Sequence, residues 1–588
     1  MSVTGDSRDQ RSAAFLLAPL VLLLAVLVIL FPAVAHAETY EVTQDEYLTN
    51  WEENNKSLIQ YYLDKAKTAQ GVTTVVIKPG LYELKGALQI RSNTHLILED
   101  GATLRRTNVD KGLVYNHGKT PEGKSWTTAR GYGLTKNIVV EGRGVATIDG
   151  GDTSKCSDDG SSDLMRFDHA EGVTVKGLTF RNVYNAHHLE FVGVKKGLIS
   201  NCSFSGFRRA AGHEKHRNYG REAIQLDSCW ANGTSGVADP ATMSNPDRWA
   251  SGTFLDGTSC QDCVVEGCRF TNVPSAIGQH HWSPDSRYKN SSNIVIRNNV
   301  ITGGRSDKML RYAITVGGLD NTTVSGNTIT GSFYRGVLSY QARNLVVSGN
   351  TIDGATVGVY TQSKALNAKI ERNTIKNSGD ASIKSSKGGS LASIANNTLS
   401  GARSYGVHIE GAQVSSIAGN VISSAKKYGI LARGKVANIS SNRITASSAG
   451  INVQSSASVS TVANNVVKGA SYGILVRGHA KVGRAQGNSL AGCSYGIVAS
   501  ESAKMSLAKK NVIEGAKKAG IATTGKSKLA KVDANTIKKA KKYGIRLSSK
   551  AVKAKVTNNS VQVHKKKYGI SKAKKVKAKL AHNKIKKW

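Results

Sequence analysis

Proline is nearly absent from this chain, 8 in 588 residues, and 60 glycines without a Gly-X-Y period exclude a collagen-like rod. Aromatic residues make up only 6%, so no core of large rings is expected, and small and β-branched side chains must supply the packing. Acidic residues are outnumbered, 41 Asp+Glu against 80 Lys+Arg, for a formal charge of +39. A hydrophobic content of 39% still excludes a wholly disordered chain. The length allows three or four ordinary domains or one long repeat array.

Long apolar runs are also missing, except one. Arg8 and Arg11 precede an almost wholly apolar stretch from Ala13 to Val34, which ends Ala35-His36-Ala37. A basic start, an apolar middle and a small-x-small end predict a signal peptide over residues 1–37; an uncleaved membrane anchor is the alternative. No transmembrane span is expected in the mature chain, which is expected to be secreted, either extracellular or associated with a cell wall. Cysteines number seven, five of them within 202–268, so a local disulfide is plausible with at least one thiol left over. Their spacings form no paired zinc set, and no metal or cofactor is expected.

What the chain does have is a period. Asparagines at 299, 327, 350, 373, 397, 420, 442, 465, 488, 511, 535, 559 and 583 each begin an Asn-x-(Ile/Leu/Val) motif, first 28 and then 22 to 24 residues apart. Tyr-Gly-(Ile/Val) recurs inside most repeats, as at Tyr405, Tyr428, Tyr472, Tyr495, Tyr543 and Tyr568. Three short strands and three turns per 23 residues predict an all-β, single-stranded parallel β-helix with coils about 4.8 Å apart. Asparagine at one fixed turn can stack into an amide ladder, and glycine suits a corner needing positive φ or close backbone approach. Leucine is too scarce for leucine-rich repeats, and a propeller needs about 40 residues per unit.

The same grammar appears earlier, less regularly, as in Val173–Phe180, Leu198–Phe204, Val264–Phe270 and Asn293–Ile301. Apolar residues at helical spacing, Leu58, Tyr61, Tyr62 and Ala66, predict a capping helix between Asp45 and Ala69. The expected division is a cap over 38–73, a first β-helix section over 74–360, and regular repeats over 361–588 that become lysine-rich from about 501.

Ile77-Lys78-Pro79-Gly80-Leu81-Tyr82, Asn93-Thr94-His95-Leu96 and Thr147-Ile148-Asp149-Gly150-Gly151 follow the cap. On these residues, over roughly 55–360, the chain resembles the right-handed parallel β-helices of the pectin-lyase-like superfamily, and more narrowly the glycoside hydrolase 28 (polygalacturonase) group. The resemblance implies a polysaccharide substrate and glycosidase activity. It does not supply the catalytic set. That family carries Asn-Thr-Asp, Asp-Asp, Gly-His-Gly and Arg-Ile-Lys on successive coils, where this chain has Arg221-Glu222, Pro274-Ser275 and Arg311-Tyr312. Only Glu222 keeps a carboxylate.

Aligning coils on Leu189, Ile224, Ile277 and Ile314 as inward residues puts His188, Glu190, Gln225, Asp227 and His280 outward on one face. Glu190 and Asp227 then lie one coil and one two-residue step apart, about 8 Å. Carboxyls about 6.5–9.5 Å apart leave room for the water of an inverting glycosidase. Glu190, Asp227, His280 and Glu222 are the candidate catalytic residues; His188, Arg221, Gln225, His281, Trp282 and Arg311 are candidates for substrate binding. Two other chemistries fit the same residues. His280 or His281 can act as base beside a uronate held by Arg221, as in a lyase or epimerase; His188, Glu190, Asp227 and His280 also have metal-ligand chemistry without a diagnostic spacing. Insertions at 206–220 and 228–257 flank the patch and can wall a groove; Trp230, Trp249 and Trp282, in or beside them, can stack on sugar rings or pack the loops down.

From 501 to 588 there are 27 Lys+Arg and 3 Asp+Glu, a net of +24. Lysine runs such as 538–542 and 565–567 fall just before Tyr-Gly-Ile. Stacked coils align them into stripes, which suits a polyanion such as a wall teichoic polymer, an acidic glycan or extracellular nucleic acid, or simply a solubilising face. No motif for sequence-specific nucleic acid recognition is present. A monomer is expected. Two functions of different class follow: a secreted carbohydrate-active enzyme tethered by its tail, or a non-catalytic adhesin.

Overall fold

The computed structural model describes residues 37–49, 57–107, 112–116, 131–153, 162–209, 221–229, 257–279, 290–303, 311–446, 448–548, 553–574 and 576–588. They form a parallel β-solenoid of about 18 turns. One coil shows the unit: Tyr405–Glu410, Gln413–Ala418 and Val421–Ala425, one strand on each of three sides. Each pairs in parallel with its counterpart in the next coil, Tyr405 with Tyr428, Val414 with Val436 and Val421 with Arg443. Alternation sends Ile417, Ile439 and Val462 inward to full burial, one above another.

The asparagine ladder runs unbroken from Asn299 to Asn583. In its interior, Asn442 Nδ2 donates to Asn465 Oδ1 at 2.9 Å and to Ile417 O at 2.9 Å, while its Oδ1 accepts from the Asn420 backbone N–H at 3.0 Å. Buried backbone groups at the turn thus find partners that no helix or hairpin supplies. The residue before the ladder position is left-handed, Asn298 at φ 56° and Gly419 at φ 66° for instance, which is why Asn-Asn and Gly-Asn pairs recur there. The glycine of Tyr-Gly-Ile answers to close approach, not to φ: a Cβ on Gly429 would lie 2.3 Å from Ile444 Cγ2 and 2.7 Å from Gly450 O.

Three expectations change in detail. The described residues of the cap hold two short helices, α1 (Gln44–Thr49) and α2 (Ser57–Asp64), within the expected helical region; α2 lays Ile59 and Leu63 on the first coils, fully buried. Large rings do enter the core. Phe180, Phe204 and Phe270 stack at 4.9 Å centroid spacing through three successive coils. Among the described residues no disulfide staples the middle section: Cys202, Cys260, Cys263, Cys268 and Cys493 are free thiols and buried. Cys202 and Cys268 occupy the ladder column ahead of Asn299, since Ser203 pairs with Arg269 and Arg269 with Val300. Cys156 lies outside the described residues.

Candidate functional site

Six successive strands of one side carry the site: β1 (Met165–Asp168), β2 (Leu189–Val192), β3 (Glu222–Asp227), β4 (Ser275–Gly278), β5 (Tyr312–Gly317) and β6 (Arg335–Tyr340). Leu189 pairs with Ile224, Ile224 with Ile277 and Ile277 with Ile314, the alignment expected from their sequence. Glu190 therefore stacks between Arg166 and Gln225, and Asp227 sits two residues beyond Gln225. That is the diagonal of one coil and one two-residue step from which the separation of about 8 Å follows.

These side chains form a buried charged network. Glu190 is 5% exposed and Asp227 1%. Arg166, which sequence reasoning missed, is the hub: its Nη1 lies 2.5 Å from Glu190 Oε2 and 3.4 Å from Asp163 Oδ2, and its Nε donates to Asp168 Oδ1 at 2.9 Å. Met165-Arg166-Phe167-Asp168 alternates apolar and charged residues, the period-2 pattern that could have revealed this coil. Asp163 Oδ1 also accepts the His187 backbone N–H at 2.9 Å, and His187 Nδ1 lies 2.7 Å from Glu222 O. Gln225 Nε2 donates to Asp227 Oδ2.

One guanidinium cannot neutralise three buried carboxylates, so the acids separate. Burial, with the charges of Asp163 and Asp227 and a hydrogen bond to Asp163, raises Glu190 well above the usual carboxylate range, against the opposing pull of Arg166. Asp163 is held below that range: desolvation opposes this, but the His187 charge, the Glu190 hydrogen bond and Arg166 prevail. The surroundings thus push the two acids apart, Glu190 towards its neutral form and Asp163 towards its charged one. Burial, then Glu222 and Asp227, raises the Tyr340 phenol, which donates to Gln279 O at 3.3 Å. Gln225 Oε1, Ser275 Oγ and Thr315 Oγ1 on the same strands are buried without hydrogen-bond partners among the described residues. Such atoms suit water or a polar ligand.

His188 is a correction. Simple alternation placed it outward, but it occupies the column of Ala223 and the repeat glycines, where the chain turns into the strand and two consecutive residues face inward. Its ring packs edge-on against Phe204 at 5.9 Å, Nε2 lies 2.8 Å from Ser205 O, and desolvation lowers its pKa to about 4. It is a neutral core histidine. Arg311 is buried too, its Nη1 donating to Val273 O at 3.3 Å in the preceding coil. Arg221 is half-buried at the entry to β3. His280, His281, Trp282, Trp230 and Trp249 lie outside the described residues, as does most of both insertions.

Residues 233–432 match the family described as periplasmic copper-binding protein (NosD), and residues 382–537 and 433–585 match the right handed beta helix region. The thiols in the first segment do not fit a copper ion. Cys260 Sγ turns to Asp227 O at 3.2 Å, Cys263 Sγ to Val194 O at 3.3 Å and Cys268 Sγ to Glu266 O at 3.4 Å, all in the core. Among the described residues, no three His, Cys, Asp or Glu side chains are grouped to hold a metal. The plasmin and fibronectin-binding protein A of Streptococcus pneumoniae is 23% identical over 288 residues, 47% of this chain and 37% of that protein, so the match spans little more than a third of the relative. Two solved structures are similar in outline. The surface protein and adhesin PfbA of Streptococcus pneumoniae has a TM-score of 0.39 at 15% identity, covering 93% of this chain and 100% of that one. The catalytic unit of a GH87 alpha-1,3-glucanase from Streptomyces thermodiastaticus has a TM-score of 0.39 at 11% identity, covering 79% and 69%.

Proposed function

We propose, taking as premise that the chain is a right-handed parallel β-helix of the pectin-lyase-like superfamily, that it cleaves an acidic polysaccharide on the face of β1 to β4. Glu190, protonated, donates to the leaving glycosidic oxygen; Asp227 is the carboxylate that activates water from the other side. One observation carries this reading: two carboxyls on one face, one coil and two residues apart, with Glu190 raised by its surroundings. Glu222, Gln225 and Arg221 line the path, with His280, His281 and Trp282 following β4 in the chain. The lysine-rich coils hold the polymer, and the protein works outside the cell or at its surface.

Incubating the full chain with a panel of acidic and neutral glycans tests it, with Glu190→Gln and Asp227→Asn beside the wild type. Product from the wild type that both substitutions abolish supports the assignment. Product unaffected by both refutes it, and an absorbance rise from a new double bond moves the chemistry to a lyase.

A second reading, a surface adhesin without turnover, is favoured by the burial of both carboxylates and by the name of the pneumococcal relative. Retention of a glycan with no product from any of them would select it.

A further inference from the structure

An open groove of about 420 Å3 lies on the outside of the coils between Asn367 and Ser460, and Lys481, Lys504 and Lys528 continue its lip beyond that lining. Its lip includes the column Gln413, Lys435 and Ser458, and its floor Ser415, Ala437 and Ser460. The register carries that lip onward: Ser458 pairs with Lys481, Lys481 with Lys504, and Lys504 with Lys528. The lip thus becomes a line of exposed lysines, one per coil, about 4.8 Å apart. The floor beside them stays small, as Gly483, Ser506 and Ala530.

Like charges in directly stacked positions repel and weaken a sheet. Among the described residues, none of these three lysines has a carboxylate within 4.0 Å to offset the repulsion. Of the acids of this region, Glu501 accepts the Gly478 backbone N–H at 2.8 Å, and Asp533 is taken by Lys531 at 3.3 Å and Lys509 at 4.0 Å, and by Thr557 and Asn558. Serine or threonine would serve the strand at no electrostatic cost, as Ser458 does. A linear anion whose charges repeat at the coil spacing would reverse the sign of the effect. An extended polyuronate has this property: one carboxylate on each sugar ring, and a ring about as long as the gap between coils. A nucleic acid suits the groove less well, since the floor offers no aromatic ring on which a base could stack and the lip no bidentate arginine.

We propose that this groove binds a linear polyuronate lying along the β-helix axis, with one carboxylate to each of Lys481, Lys504 and Lys528. The proposal rests on the polyanion-binding role of the tail given above and deepens it, from diffuse attraction to a register.

The test measures binding of the full chain to polygalacturonate and to poly-L-glutamate at fixed salt. Lys481→Gln/Lys504→Gln/Lys528→Gln is compared with an equal charge loss at turns, Lys541→Gln/Lys565→Gln/Lys566→Gln. The groove triple should weaken polygalacturonate binding about tenfold and the turn triple less than about threefold. Equal weakening by both triples, or tighter binding of polyglutamate, overturns the groove while leaving a polyanion-binding tail. Binding of neither polymer by the wild type removes both. All six lysines are exposed, and circular dichroism with a melting curve verifies the fold of each variant. Amine labelling of the wild type gives a readout without substitutions: polygalacturonate should shield Lys481, Lys504 and Lys528, and unchanged labelling of all three overturns the proposal.

Discussion

Glu190 and Arg166 meet across a single coil step, Oε2 to Nη1 at 2.5 Å, inside a network whose other acids are Asp163 and Asp168. The pair separates two roles that a single activity measurement would confuse. Arg166 holds the network together, whereas the surroundings of Glu190 favour its neutral form.

Arg166→Leu should therefore destabilise strongly, by about 3–5 kcal/mol, because it strands buried carboxylates. Glu190→Gln puts a near-isosteric amide where the surroundings favour the neutral acid, and should cost under about 1 kcal/mol while abolishing glycan cleavage. Urea unfolding of both variants, with product assays alongside, checks the contrast. A Glu190→Gln protein as unstable as Arg166→Leu would mean that Glu190 is ionised and structural.

His188 predicts a pH dependence. Its folded pKa, lowered to about 4 by burial, lies below the unfolded value of about 6.5, so the unfolded chain binds more protons between the two. Its contribution is complete above about pH 6.5 and is lost as pH falls towards 4, by about 3 kcal/mol in all. His188→Gln should flatten the stability profile across that window, as read from urea midpoints at several pH values. Glu190 acts with the opposite sign: its raised pKa favours the folded state in acid, and that gain is lost as pH rises through the folded value.

The ladder predicts a gradient along the rod. Asn442→Ala removes two donated bonds and leaves the Asn420 amide groups without their acceptor, which should cost roughly 3 kcal/mol or more. Asn583 also accepts from the Asn559 N–H and Nδ2 and donates to Val556 O at 2.8 Å, but it is half-buried and water can replace these bonds, so Asn583→Ala should cost only about 1 kcal/mol. Because each coil contacts only its neighbours, hydrogen exchange should show the Asn442 lesion loosening adjacent coils first. Uniform loosening would contradict this one-dimensional coupling.

Repetition explains what could be read in advance. Each ladder asparagine and each Tyr-Gly-Ile states the same geometry again, so the register of the regular coils, and even of Leu189 on Ile224, follows from counting. The site departs where the pattern has no second copy. His188 faces inward because its column is a corner where alternation fails, and a lone histidine among alanines and glycines gives no warning of that. Arg166 escaped notice because its coil precedes the first strand recognised by its asparagine turn. The burial of Glu190 and Asp227 depends on long-range packing that period and spacing do not encode.

The cysteines carry a last consequence of the ladder. Cys268 sits where a ladder asparagine would, its backbone N–H donating to Asn299 Oδ1 at 2.9 Å and its Sγ 3.9 Å from Ile199 O. Asn299 bonds the corresponding carbonyl, Val265 O, through Nδ2 at 3.1 Å. Cys268→Asn should therefore add a rung, donating to both Asn299 Oδ1 and Ile199 O. The expected result is unchanged stability or a gain of up to about 1 kcal/mol. Burial raises the thiols of Cys202, Cys260 and Cys493, so these three should resist a thiol reagent in the native protein and react only on unfolding. A loss of more than about 2 kcal/mol in Cys268→Asn would show that the ladder geometry does not reach this coil. Rapid native labelling of Cys202 would place the column at the surface, where an amide ladder has no buried backbone to satisfy.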